Sequence, residues 1–118
     1  MNLPHLSPIL FAKEVLSCVE KKAMVRCVFP FLPTLPMFVE AAAQATSAFS
    51  TPDTPTKGFL VLMKDVSLYV KADALDCVIV LDVHRSLGNT SEFYFEVFND
   101  ENLGTQIASG SLMIVLEN

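Results

Sequence analysis

The sequence predicts an α+β domain in which one long central helix is wrapped by a curved antiparallel sheet of about five to six strands. A single segment, roughly Pro36 to Phe49, is rich in alanine and apolar at nearly every position, as in a buried helix. Strand-like stretches surround it, one pair before it and a meander of about four after it. One helix and one antiparallel sheet can bury each other only if the sheet curls around the helix.

The elements follow from local patterns along the chain. Residues Val15 to Val28 predict two strands joined at the polar turn Glu20-Lys21-Lys22, and 50–58 has the composition of a loop. The stretch Phe59 to Val70 predicts one long strand with a kink near Lys64-Asp65. The remaining segments are predicted as a strand at Cys77–His84, a hairpin turn at Leu87–Thr90, and strands at Glu92–Phe98 and Gln106–Leu116.

Length and composition predict one domain, 1–118, that buries more apolar surface than one small monomer offers. Of the 118 residues 52% are hydrophobic, and the mean hydropathy is +0.45. This excess favours a subunit interface, so we expect a homodimer, with a higher oligomer of dimers as an open alternative. No apolar run reaches the eighteen or so residues that a membrane span needs, and the N-terminus lacks a signal-peptide pattern. We therefore expect a cytoplasmic protein.

Charge and cysteine usage exclude several classes of partner. The net charge of −5 and a pI near 4.8 argue against nucleic acid, because phosphate binding needs a basic surface. The three cysteines, Cys18, Cys27 and Cys77, show no C-x-x-C spacing and are expected to be reduced thiols. Two histidines, His5 and His84, are too few for a zinc site. We predict no metal and no cofactor.

One carboxylate stands out on the predicted helix. Glu40 and Gln44 are four residues apart and share a helix face, and their neighbours are nearly all apolar. An ionised carboxylate in such surroundings is unfavourable unless it is paired, so it needs a structural or chemical reason to be there. Glu40 is the candidate catalytic residue and Gln44 its support. The alternative is that the two side chains only hydrogen-bond each other or a neighbouring subunit and order a dimer.

Two motifs resemble those of a known family. Leu3-Pro4-His5 with Pro8 is similar to the opening of the β-hydroxyacyl-[acyl-carrier-protein] dehydratases. The proline-spaced approach 29–36 followed by Glu40-Ala41 and Ala43-Gln44 is similar to their central motif. The resemblance spans almost the whole chain. It implies the hotdog fold, pairing into dimers with a continuous sheet, and binding of acyl thioesters of coenzyme A or acyl carrier protein at the interface.

The chain departs from the dehydratase pattern where the chemistry matters. The family's catalytic histidine precedes the Phe-Pro pair, and here that position is Val28; the family's glycine after the last proline is Met37. Dehydration needs a base for the α-proton and an acid for the departing hydroxyl, and valine cannot move a proton. The resemblance therefore implies a degenerate dehydratase.

Three functions stay open. The chain could bind an acyl chain or acyl thioester without strong catalysis, could hydrolyse thioesters with Glu40, or could be a structural or regulatory dimer. Whether it is an enzyme is open, and a thioesterase is favoured over a dehydratase if it is one. The residues expected to line the substrate site are Phe31, Pro36, Met37 and Phe38.

Overall fold

The computed structural model describes residues 10–49 and 57–117, with side chains for 10–49 and 60–115. The opening motif with His5 and the loop 50–56 lie outside these residues. The elements in chain order are β1 Ala12–Val19, β2 Lys22–Val28, α1 Leu35–Ala45 with a 3₁₀ turn Thr46–Phe49, β3 Lys57–Leu68, β4 Asp76–Leu87, β5 Thr90–Phe98 and β6 Gln106–Glu117.

The six strands form one antiparallel sheet in the order β1-β2-β4-β5-β6-β3. The third strand therefore pairs with the last one, and both β1 and β3 are edge strands. The prediction of one helix against an antiparallel sheet is confirmed, and the sheet has the upper number of strands expected.

The sheet curls around the helix. In a flat six-stranded sheet the two edge strands would lie about 24 Å apart, whereas an 11-residue helix is only about 16 Å long. Yet α1 contacts both edge strands, β1 and β3, and also β4 and β6. One short helix can reach both edges only if the sheet bends toward it, as the sequence predicts.

The helix is shorter and more one-sided than its sequence predicts. It begins after Thr34 with Pro36 in its first turn, where a missing N–H is harmless. It ends at Ala45; the next residue, Thr46, donates its hydroxyl to the Ala43 carbonyl at 2.6 Å and begins a tighter 3₁₀ turn. Its buried positions are Phe38, Val39, Ala41, Ala42 and Ala45. The opposite face, with Pro36 and Glu40, is exposed in a single chain, so the expected burial on all sides is wrong for the chain alone.

Aromatic rings fill the space between helix and sheet. The ring of Phe29 lies 4.9 Å from Phe11 and 5.5 Å from Phe38, and it meets Phe38 edge to face. All three side chains are buried. Small residues surround Phe38 on the helix, so the backbone of α1 approaches the sheet closely and the rings take up the remaining volume.

The two predicted irregularities of the sheet are confirmed. The pairing of β3 with β6 shifts register between Lys64 and Ser67, and Asp65 has a positive φ of 55°, which kinks the strand there. The hairpin between β4 and β5 turns at Gly88, whose φ of 63° is the left-handed conformation that glycine adopts without strain.

In β6, a Cβ on Gly110 would lie 2.8 Å from Cε2 of Phe95, so this close approach requires glycine.

Candidate functional site

Glu40 and Gln44 lie one turn apart on the open face of α1. The amide Nε2 of Gln44 donates to Oε2 of Glu40 at 3.4 Å, so the two side chains meet as their spacing predicts. Glu40 is exposed, and no ion pair joins its carboxylate to a basic side chain within residues 10–49 and 60–115. In one chain, a weak hydrogen bond from Gln44 therefore orients an otherwise accessible carboxylate.

Gln44 also ties the helix to the start of the sheet. Its Oε1 accepts the backbone N–H of Phe11 at 2.7 Å and that of Ala12 at 3.2 Å. Because these two donors fix the amide oxygen, the amide nitrogen must point toward Glu40. The position of Glu40 thus depends on β1 as well as on the helix.

The residues expected to line a substrate site lie in two different environments. Pro36 is exposed on the same helix face as Glu40, and Phe31 is 60% exposed in the loop before α1. Met37 is half-buried against the core, and Phe38 is fully buried beneath the helix. Pro36 therefore shares the exposed face of α1 with Glu40, whereas Phe38 supports the helix from below.

A polar cluster that sequence reasoning missed lies on the sheet face away from the helix. Glu92 is nearly buried there, with Lys64 Nζ at 3.4 Å from one carboxylate oxygen and Arg85 Nη2 at 3.4 Å from the other. The alternation of side chains along β5 places Glu92 on the face opposite Phe93 and Phe95. A register shift at His84 brings Arg85 opposite Glu92, and no residue type signals that shift. An open pocket of about 600 Å³ is lined by Lys64, Asp65, Asp82, His84, Arg85, Glu92, Tyr94 and Ser111.

The ion pairs of Glu92 predict acid sensitivity. Burial tends to raise the pKa of Glu92, but hydrogen bonds and charges from Lys64 and Arg85 outweigh it and hold the pKa below its usual range. This stabilisation is present above the unfolded-state pKa and is lost as the pH falls through the lower folded-state pKa. In urea unfolding between about pH 6 and about pH 3, we expect wild type to lose more stability than Glu92→Gln.

The control for this measurement is Glu14→Gln. Glu14 forms an ion pair with Arg26 at 3.0 Å, but both side chains are largely exposed. Such pairs contribute little, so this variant should follow the wild-type pH profile. Parallel profiles for wild type and Glu92→Gln would show that the cluster does not stabilise the charged carboxyl.

Comparison with known proteins finds similarity in structure only. No family model and no curated protein matches the chain. The dehydratase heterocomplex ApeI:P from Xenorhabdus doucetiae is similar over 98% of this chain and 88% of its own, with a TM-score of 0.79 and 19% identity. A thioesterase from Haemophilus influenzae is similar over 89% of this chain and 78% of its own, with a TM-score of 0.69 and 10% identity. Thioesterase superfamily member 2 from Mus musculus is similar over 85% of this chain and 78% of its own, with a TM-score of 0.66 and 13% identity.

The chain has the hotdog fold. Thioesterases and a dehydratase share this architecture with it, so the fold expected from the resemblance is confirmed. Sequence identities of 10% to 19% establish the fold only, so the activity has to be inferred from the residues of the site. No helix in the described part of the chain is long and apolar enough to cross a membrane. The same residues contain no group of three or more potential metal ligands.

In this hotdog domain, Val28 occupies the place where the dehydratase resemblance expects a histidine. Its neighbours Cys27 and Phe29 both face the helix, so the side chain of Val28 points to the other face of the sheet. Its backbone N–H donates to the Phe11 carbonyl at 2.9 Å. Within one chain, position 28 and Glu40 therefore do not face each other, and valine supplies no group that could transfer a proton.

Proposed function

We propose that this hotdog chain binds an acyl chain, or an acyl thioester of coenzyme A or acyl carrier protein, at a site that contains Glu40 and is completed by a second subunit. The observation that carries the proposal is the exposed face of α1. Glu40 lies there between apolar neighbours, and Gln44 and β1 hold it in place. A cytoplasmic location belongs to the same proposal.

The edge strand β3 supports the second subunit. Among the strands within residues 10–49 and 57–117 it pairs with β6 alone, so its other side offers unpaired backbone groups there. Long, apolar edge strands readily pair with another chain. Four consecutive side chains of this strand are large, apolar and exposed: Leu60, Val61, Leu62 and Met63. A second copy paired along β3 would extend the sheet and cover these side chains, and such dimers could assemble further.

A different subunit could also occupy this edge. The dehydratase ApeI:P is a heterocomplex. Two copies of the present chain would carry Glu40 twice and no histidine at position 28. A partner with its own proton-transferring group would supply what Val28 lacks. The mass of the complex formed by the purified chain alone distinguishes a homodimer from a monomer that awaits another partner.

If the site is catalytic, thioester hydrolysis fits its residues better than dehydration. Glu40 could accept a proton from water as the water oxygen attacks the thioester carbonyl. The C–S bond then breaks, the thiol leaves with a proton, and a carboxylic acid is released. This route needs one carboxylate, whereas dehydration needs a second proton-transferring group.

A structural role is the second candidate. Gln44 directs its amide oxygen to the backbone of Phe11 and Ala12, which is a fold-stabilising task. On this alternative, Glu40 and Gln44 order the helix and the dimer, and no acyl group is turned over.

The test is hydrolysis of acyl-coenzyme A thioesters of several chain lengths by wild type and by Glu40→Gln. For a catalytic carboxylate we expect the variant to lose about 10²- to 10⁴-fold in kcat. Ser47→Ala is the control, because Ser47 is exposed on the same face of the chain, one turn beyond Gln44. Equal rates for both variants would exclude a catalytic Glu40. If wild type turns over no thioester, native mass spectrometry for a bound acyl species separates a binding module from a structural dimer.

A further inference from the structure

Strands β2 and β4 place two thiols opposite each other in the core. Cys27 and Cys77 are direct register partners, and both are free cysteines that are almost completely buried. The two cysteines are fifty positions apart in the sequence, and neither belongs to a spaced cysteine motif. The sheet register alone brings them together.

The hydrogen-bond pattern fixes the type of this pair. Phe29 N–H donates to the Leu75 carbonyl at 2.7 Å, and Val83 N–H donates to the Lys21 carbonyl at 2.8 Å. Pairs whose backbones are hydrogen-bonded alternate with pairs that are not along an antiparallel ladder. Because Cys27 lies two residues from Phe29, the backbones of Cys27 and Cys77 form a hydrogen-bonded pair. The Cα atoms of such pairs are about 5.5 Å apart, which is within the range of disulfides.

The side-chain geometry makes a bond between these sulfurs possible and strained. Cβ atoms of opposite residues lie about 4.5–5.5 Å apart, whereas a relaxed disulfide needs about 3.5–4.5 Å. Closure would therefore draw β2 and β4 together locally. Strained disulfides are reduced more easily than relaxed ones, and labile disulfides are typically of this kind.

We infer that Cys27 and Cys77 are a redox modification site, at which a two-electron oxidant joins β2 to β4 through a reversible disulfide. Both S–H bonds break and one S–S bond forms. Two electrons and two protons pass to the oxidant, which is a low-molecular-weight azo compound or disulfide. This inference is independent of acyl binding.

Both cysteines lie near strand ends, where an oxidant can reach them when the strands open locally. Each cysteine is next to the end of its strand, since β2 ends at Val28 and β4 begins at Asp76. Strand ends open more often than strand centres, and opening exposes both thiols together. In the closed state, the hydrogen bond to Cys27 and burial raise the pKa of the Cys77 thiol far above its usual range. Oxidation should therefore proceed through the opened strand end and be slow.

The test uses the full chain with Cys18→Ser, which removes the exposed thiol and leaves both core thiols intact. Folded protein is incubated with diamide and then analysed by intact mass and by peptide mapping without reduction. We expect most chains to lose two hydrogens within hours and to yield a Cys27–Cys77 linked peptide. We also expect glutathione at cellular concentration to restore both thiols.

Two results would overturn the inference. One is a folded protein that retains both thiols under conditions that fully oxidise the same chain in denaturant. The other is a product that contains only glutathione adducts or chains linked to each other. Cys27→Ser and Cys77→Ser in the same background are controls that cannot form the bond. The main readout does not depend on their folding, because it uses the two native core thiols.

Discussion

Replacing Phe38 by alanine is expected to lower the free energy of unfolding by about 3–5 kcal/mol. The side chain is fully buried, and its ring meets Phe29 edge to face at 5.5 Å. Truncation would remove the apolar contacts and leave a cavity between α1 and the sheet, where the neighbouring alanines are too small to fill it. A domain of this size has a total stability of only about 5–15 kcal/mol, so much of the protein would be unfolded at modest urea concentrations.

The matched control is Phe31→Ala. The sequence assigns both phenylalanines to a substrate site, but Phe31 is 60% exposed. Its truncation should change stability by less than about 0.5 kcal/mol and should weaken binding of long acyl chains if it borders the site. Urea unfolding at constant m-value measures the first effect, and titration with an acyl thioester measures the second. Equal stability losses in the two variants would contradict the placement of Phe38 in the core.

The second large effect is expected at the edge strand. Leu62→Glu should weaken self-association about 100-fold or more, so that the protein sediments as a monomer at micromolar concentration. Leu62 is an exposed apolar side chain of β3, and a dimer paired along this strand would bury a carboxylate without a partner. The domain itself should remain folded, because this side chain is already exposed in one chain.

Val19→Glu provides the comparison on the other edge of the sheet. Val19 is 68% exposed on β1, which is the other edge strand of the described sheet. This variant should sediment as wild type does. If Val19→Glu dissociates the protein and Leu62→Glu does not, the second subunit binds at β1. If a monomeric Leu62→Glu variant keeps full acyl binding, one chain holds the whole site.

Local chemistry made the two irregularities of the sheet predictable, whereas β1 begins three residues earlier and β4 ends three residues later than predicted. The kink in β3 coincides with Lys64-Asp65, because two charged residues interrupt an apolar strand there. The hairpin at Gly88 follows from the conformational freedom of glycine. Such features depend on a few adjacent residues, so the sequence alone is sufficient to locate them.

Contacts between residues far apart in the sequence cannot be predicted from local patterns. The sequence shows that α1 is apolar on most sides, but it does not tell whether its own sheet or a second chain covers each side. Glu40 was expected to be buried for this reason and is exposed in one chain. The cluster at Glu92 and the opposed thiols of Cys27 and Cys77 depend on register, which is set by pairing between distant strands.

The pairing of β3 with β6 also determines when the molecule can assemble during synthesis. β3 ends at Leu68, and β6, its one neighbour among the described strands, begins at Gln106. While the intervening residues are being translated, β3 has no strand to pair with inside its own chain, and contacts of such long sequence separation form late. The edge proposed for association is therefore completed only after β6 has left the ribosome, so nascent chains that have not yet exposed β6 do not present it.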